Sequence, residues 1–112
     1  MEIDVRNQAQ IRVIKLRGRL SLGEPVERLR TTVDELLQAG NARLLLDLEE
    51  VPVIDSSGIG LLVRSLTSAK KQGGSVKLLK PSKFAIQSLK LIGLLSQFEV
   101  FQDSQAAVAS FD

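Results

Sequence analysis

Apolar and polar positions along the chain alternate between a period typical of strands and one typical of helices. Two runs rich in β-branched residues, Ile3 to Arg6 and Ile11 to Arg17, flank the polar stretch 7–10 and predict a hairpin. Pro25 then stands where a helix favours its first residue, and Gly40 is placed to end that helix. Apolar residues lie between them at helical spacing: Val26, Leu29, Val33, Leu36 and Leu37.

The rest of the chain continues this alternation. The nearly continuous apolar run Leu44 to Leu48 is typical of a strand covered on both faces. A helix to about Gln72, a strand at 76–79, a helix capped by Ser82, a short strand at 99–101 and a last helix after Asp103 complete the pattern. The element order ββαβαβαβα predicts an α/β fold with about five strands and about four helices. The sheet should be mixed and mostly parallel, with the hairpin as its antiparallel edge.

Length and composition limit the kind of protein. A chain of 112 residues predicts one domain spanning 1–112. A net charge of +2 gives no reason to expect nucleic acid as a partner. Because no apolar run is long enough to span a bilayer and the first residues have no apolar leader segment, we expect no membrane insertion and a cytoplasmic location.

The sequence contains no Cys and no His. This composition excludes disulfides, thiolate nucleophiles, zinc sites with Cys or His ligands, and Ser-His-Asp triads. Acid–base catalysis would have to rest on Asp, Glu or Lys. The sequence therefore indicates no catalytic residues, metal site or cofactor.

The stretch I-D-S-S-G-I-G at 54–60 lies between the predicted central strand and the next helix. Open α/β sheets bind ligands beyond the carboxyl ends of their strands, which is where this stretch falls. Asp55, Ser56 or Ser57 could cap the helix, a contribution of about 1 kcal/mol. One cap does not account for three consecutive polar residues or for Gly58 and Gly60, since a glycine inside a helix costs roughly 1 kcal/mol. The stretch therefore favours a functional site, with simple capping as the alternative.

The helix that follows this stretch has an apolar face and a second face of mixed character. At 100° per residue its core face carries Ile59, Leu62, Val63, Leu66 and Ala69. The opposite face carries Ser57, Gly60, Leu61, Arg64, Ser68 and Lys71. Leu61 is thus expected in the middle of the solvent face, which favours a protein-docking surface. Phosphorylation of Ser56 would add about −1.5 to −2 charge there and could switch binding off.

Competing motifs fit these residues poorly. The glycines at 58 and 60 lack the Gly-Lys-Ser/Thr ending of a P-loop and are too close together for a dinucleotide fingerprint. No G-x-S-x-G nucleophile elbow is present. A receiver domain could use Asp47 or Asp55, but Arg17-Gly18-Arg19 stands where its acidic cluster is needed. Binding of a small ligand or nucleotide at the strand ends stays open as a weaker alternative.

V-I-D-S-S-G-I-G-L-L followed by K-K-Q-G-G-S-V-K-L-L resembles the STAS domain, in the form of the bacterial anti-sigma factor antagonists. The resemblance covers nearly the whole chain, from L-R-G-R-L through L-L-L-D-L to I-G-L and F-E-V. It implies a single STAS-like domain in which a partner kinase phosphorylates the first serine of D-S-S-G, here Ser56. Ser21 stands where many members carry Asp, at a position expected close to the phosphoacceptor.

The resemblance implies partner switching. An unphosphorylated antagonist binds an anti-sigma factor of the ATPase-like kinase fold and so frees a sigma factor. The kinase then phosphorylates the antagonist, and a phosphatase acting on the phosphoserine resets it. Such a protein is a substrate and a binder, not an enzyme. The alternative is a STAS subunit, indifferent to phosphorylation, of a lipid-transport ATPase complex or a stress-signalling scaffold. The predicted partner-binding residues are Ser21, Asp55, Ser57, Gly58, Gly60, Leu61 and Arg64.

Overall fold

A computed structural model describes residues 1–111 and contains one mixed five-stranded sheet with strand order β1-β2-β3-β4-β5. The strands are β1 (Glu2–Gln8), β2 (Ile11–Arg17), β3 (Arg43–Glu50), β4 (Ser75–Leu79) and β5 (Val100–Phe101). The helices are α1 (Glu24–Gln38), α2 (Ser56–Lys71), α3 (Lys83–Leu91) and α4 (Ser104–Ala109), with a 3₁₀ turn at Leu95–Gln97. The predicted order of elements and the α/β class are confirmed.

The hairpin forms the antiparallel edge of the sheet, and the other neighbouring strands are parallel. Its turn is shorter than predicted, because β1 continues to Gln8, which pairs with Ile11. Ala9 and Gln10 both have positive φ, 52° and 66°. This is the backbone form of the two-residue turns whose twist matches that of the flanking strands.

The sheet is covered on both faces, but unequally. The larger core joins β2, β3 and β4 to α1, α2 and α3. The smaller core lies on the opposite face, where Ala107 of α4 packs with Ile11, Val13, Leu45 and Leu79. The central strand β3 contributes to both cores, since Leu44 and Leu46 face one and Leu45 faces the other. The prediction of a strand buried on both faces is thereby confirmed.

Two side chains lie where the helical pattern did not place them. Leu61 of α2 is only 3% exposed and belongs to the larger core, so the prediction that it faces solvent is wrong. The physical reason is that α2 packs against α1 as well as against the sheet, which buries an arc wider than one apolar stripe. Ile92 continues the helical spacing of Ala85 and Leu89, but it is 53% exposed because α3 ends at Leu91.

Within the part of the chain that the structure describes, no helix is long and apolar enough to cross a membrane.

Candidate functional site

Two loops meet at the carboxyl end of the sheet, one after β2 and one after β3. The Leu20 amide donates to the Val53 carbonyl at 3.0 Å, and the Asp55 amide donates to the Leu20 carbonyl at 3.1 Å. Leu20 and Ile54 thereby form an isolated parallel bridge beyond the strands. The bridge fixes the start of α2 against the segment that leads into α1.

Asp55 is the residue that caps α2. Its backbone is extended (φ −88°, ψ −178°), and one carboxylate oxygen accepts hydrogen bonds from the Gly58 amide at 3.0 Å and the Ser57 hydroxyl at 2.6 Å. The other oxygen accepts from the Leu22 amide at 2.9 Å. One carboxylate therefore satisfies a free N–H of the first helical turn and also ties the loop after β2 to that turn.

These donors stabilise the charged form of Asp55. The Ser57 hydroxyl, followed by the amides of Gly58 and Leu22, lowers the pKa of the Asp55 carboxyl from 3.8 to about 2. The group is fully ionised at neutral pH. Since a carboxylate with so low a pKa is a weak proton acceptor, its chemistry is that of a fixed negative charge rather than that of a general base.

The two adjacent serines have different surroundings. Ser57 is half-buried, and its hydroxyl is engaged by Asp55. Ser56 is exposed at the first position of α2, and within residues 1–111 its hydroxyl takes part in no hydrogen bond. An enzyme from outside can therefore reach the Ser56 hydroxyl without breaking a contact of the fold.

The two glycines of the stretch also differ. Gly58 is buried, and a Cβ added there would lie 2.7 Å from the Leu20 carbonyl oxygen and 2.9 Å from an Ile54 methyl carbon. Gly58 is thus required by the close approach of α2 to the neighbouring loop. Gly60 is exposed, and a Cβ there would meet no atom within 4 Å. Packing gives no reason for a glycine at position 60.

The remaining predicted site residues are divided between this surface and the core. Arg64 is exposed, with a guanidinium nitrogen 3.8 Å from a carboxylate oxygen of Asp34 on α1. Ser21 is half-buried and directly precedes Leu22, whose backbone amide donates to the Asp55 carboxylate. Leu61 is not at the surface, and it cannot contact a partner without local opening of the core.

The sequence reasoning missed two exposed apolar side chains at this end of the molecule. Leu22 is 78% exposed although its amide is fixed by Asp55. Phe84 is 56% exposed in the first turn of α3, whose cap residue Ser82 has its hydroxyl 3.5 Å from the Pro52 carbonyl oxygen. A signal for Leu22 was available, since a bulky apolar residue between Ser21 and Gly23 lies outside any helical or strand pattern.

Residues 1–111 bring together no group of three or more carboxylates that could hold a metal ion. The site consists of an exposed hydroxyl, a fixed carboxylate and apolar side chains. These groups suit recognition by another protein better than chemistry on a small substrate.

Comparisons with known proteins agree with this fold. The family model of the STAS domain matches residues 2–107. The anti-sigma-B factor antagonist of Bacillus subtilis (strain 168) is 29% identical over 109 residues, which cover 96% of this chain and 97% of the relative.

Two solved structures extend the comparison. An anti-sigma-factor antagonist (STAS) domain protein from Planctomyces limnophilus is similar with a TM-score of 0.84 and 27% identity, over 97% of each chain. The phosphorylated form of the Bacillus cell fate determinant SpoIIAA is similar with a TM-score of 0.79 and 21% identity, over 99% of this chain and 100% of the other. The chain belongs to the STAS domain family.

Proposed function

We propose that this protein is an anti-sigma factor antagonist that Ser56 switches between a binding and a non-binding form. Membership of the STAS family and the likeness to the Bacillus subtilis antagonist over nearly the full length of both chains support this proposal. The observation that carries it is the difference between the two serines. The Ser57 hydroxyl donates a hydrogen bond to Asp55, whereas the Ser56 hydroxyl is exposed.

The proposed partner surface lies around the first turns of α2. It comprises Ser56, Gly60 and Arg64 on the exposed side of the helix, with Leu22 and Phe84 as apolar contacts beside it. Asp55, Ser57 and Ser21 support it from the adjoining loops. Gly58 lies beneath this surface, where its lack of a side chain lets α2 approach Leu20 closely. Leu61 is buried and is not part of the surface.

Phosphorylation would act on this surface through charge. The phosphate would add about −1.5 to −2 charge next to Asp55, which is already ionised and already uses the Gly58 amide. A partner that binds Leu22 would have to desolvate both anions, which disfavours the complex. The fold itself should persist, because anions are favourable near a helix N-terminus.

The partner in this scheme is an anti-sigma factor of the ATPase-like kinase fold, which binds the unphosphorylated form and releases a sigma factor. The same partner, with ATP, would phosphorylate Ser56, and a separate phosphatase would reset it. The protein itself then acts as a substrate and a binder rather than as an enzyme. The Asp55 carboxyl has a pKa of about 2 and is therefore unsuited to activating the Ser56 hydroxyl. The kinase would have to supply the base.

Paired captures from the native cells test the proposal. The baits are the wild type, Ser56→Ala, Ser56→Asp and the control Ser96→Asp, which changes another exposed serine in the 3₁₀ turn before β5. We expect an anti-sigma factor of the kinase fold on the wild-type, Ser56→Ala and Ser96→Asp baits, and its loss on Ser56→Asp. Circular dichroism establishes that each bait is folded.

The alternative is a STAS subunit of a lipid-transport ATPase complex or a stress-signalling scaffold that is indifferent to phosphorylation. It predicts the same transporter or scaffold proteins on all four baits. That result would replace the proposal. Capture of a kinase-fold protein equally by Ser56→Asp and wild type would retain the partner but contradict the switch.

A further inference from the structure

A second polar feature lies at the amino end of the sheet, opposite Ser56. It is an open cleft of about 490 Å³ between the first residues of β2 and β3 and the carboxyl ends of α1 and α2. Its size is within the range of small-molecule sites, roughly 300–1,000 Å³. The polar side chains that line it are Asn7, Gln10, Arg12, Asn41, Arg43 and Gln72.

The charge of this cleft is one-sided. Arg12 and Arg43 both line it, and no carboxylate does. Within residues 1–111 neither Arg12 nor Arg43 forms an ion pair, which is also true of Arg6, Arg19 and Arg28 outside the cleft. The cleft therefore holds two positive charges that the fold does not neutralise.

Arg12 is also held in position. One of its guanidinium nitrogens donates to the Asn7 side-chain oxygen at 2.6 Å, across the paired strands β1 and β2. Asn7 fixes the guanidinium while leaving its charge uncompensated, and the other donors of the fork stay available. Guanidinium groups bind phosphate through two parallel hydrogen bonds, and the neighbouring Asn and Gln amides supply further donors.

The cleft floor is tightly built on one side. At Gly74 a Cβ would lie 2.0 Å from the Ala42 carbonyl oxygen, so the loops before β3 and β4 are in close contact there. At Gly40 and Gly73 a Cβ would meet no atom within 4 Å, which leaves room between the helix ends. No aromatic side chain lines the cleft, so a ligand there gains nothing from stacking.

We propose that the cleft formed by Arg12, Arg43, Asn7 and the adjoining amides binds a small, multiply charged phosphate compound. Arginine near a helix carboxyl end also offsets the helix dipole, a role that needs no ligand. That role accounts for the charge but not for a cleft of this volume with six polar side chains. Because α2 is 16 residues and thus about 24 Å long, a ligand here lies far from the Ser56 surface.

The test is a titration of the full chain with inorganic pyrophosphate at constant ionic strength. Calorimetry gives the affinity, and amide chemical shifts give the location. We expect saturable binding with shifts at Gly40, Asn41, Gly73 and Gly74. Arg12→Gln and Arg43→Gln should each weaken binding about tenfold, as the loss of a charge-assisted pair predicts.

Arg28→Gln is the matched control, since Arg28 is exposed on α1 and does not line the cleft. It should bind pyrophosphate as the wild type does. The proposal is overturned if binding does not saturate, if the shifts fall at Ser56 to Gly58, or if the cleft variants bind as tightly as Arg28→Gln. None of these outcomes depends on whether Ser56 switches a partner.

Discussion

The start of α2 has an inward side, whose residues contact the rest of the fold, and an outward side, whose residues do not. On the inward side, Ser57 donates to Asp55, and Gly58 leaves space that the Leu20 carbonyl fills. On the outward side, Ser56 has an unengaged hydroxyl, and Gly60 faces open space. Contacts within the fold explain the presence of Ser57 and Gly58 on the inward side. They do not explain the presence of Ser56 and Gly60 on the outward side.

This difference separates the residues that build the site from those available to a partner. A cap and a close approach are structural requirements, and they would be met whatever the protein binds. An exposed serine and an exposed helical glycine meet no such requirement, and the glycine lowers stability. Substitutions at these two positions should therefore reveal a function in binding without unfolding the protein.

The largest effect should come from Gly58→Ala. The added methyl would lie under 3.0 Å from a backbone oxygen and from two side-chain carbons, so α2 must move away from the loop. We expect a loss of about 2–3 kcal/mol in the free energy of unfolding, as for other overpacked sites. Urea denaturation measures it, and an unchanged midpoint would mean that the loop yields without strain.

Asp55→Asn should have a smaller effect that depends on pH. Asn still caps a helix, but its amide cannot accept from both Ser57 and the Leu22 amide as the carboxylate does, which costs about 1 kcal/mol at neutral pH. Because the folded-state pKa of Asp55 is below 3.8, the unfolded chain binds more protons at acidic pH. The stabilisation by Asp55 is thus complete above about pH 4 and is lost as pH falls towards 2.

Denaturation curves at several pH values check this. The stability difference between wild type and Asp55→Asn should be constant near neutrality and shrink on acidification below pH 4. A difference that stays the same down to pH 2 would show that the carboxylate is not preferentially stabilised in the folded protein.

The paired serine substitutions should separate the two sides directly. Ser57→Ala removes a hydrogen bond to a charged group on a half-buried side chain, and we expect a loss of about 1 kcal/mol. Ser56→Ala removes an exposed hydroxyl and should change stability by less than about 0.5 kcal/mol. Thermal or urea unfolding of both variants suffices, and equal losses would contradict the division between the serines.

Gly60→Ala should have a modest effect in the opposite direction. Alanine at an exposed helical position should raise the free energy of unfolding by about 0.5–1 kcal/mol. If the outward side docks a partner closely, the same variant should capture that partner less well. A variant that is more stable and binds equally well would remove Gly60 from the proposed surface.

Much of the fold could be predicted because local patterns and long-range packing agree. The spacing of Val26, Leu29 and Val33 fits one buried face, and all three are buried. The strand β3 could likewise be predicted, because its apolar run requires only that the sheet is covered on both faces. The prediction that Leu61 faces solvent was wrong because helical periodicity indicates a single buried face. The helix α2 also packs against α1, and the pattern of one helix cannot reveal this.

The position of the site could be predicted, but not its internal arrangement. Residues 54–60 follow the central strand, so a location at the carboxyl end of the sheet was foreseeable. Which residue caps α2, and which glycine is packed, depends on the loop at Leu20, about 35 residues earlier in the sequence. Asp55 and Gly58 contact that loop, and Gly60 does not. Only the tertiary structure distinguishes them.

The outer strands of the sheet also restrict how another protein can bind. β1 carries Glu2, Asp4 and Arg6 along an exposed edge, and β5 is only two residues long. Charged residues on an edge strand and a very short edge strand both disfavour the addition of a further strand, and so disfavour aggregation through the sheet. We therefore expect the protein to remain dispersed in concentrated solution. Recognition by strand addition, common among peptide-binding domains, is therefore disfavoured at both edges.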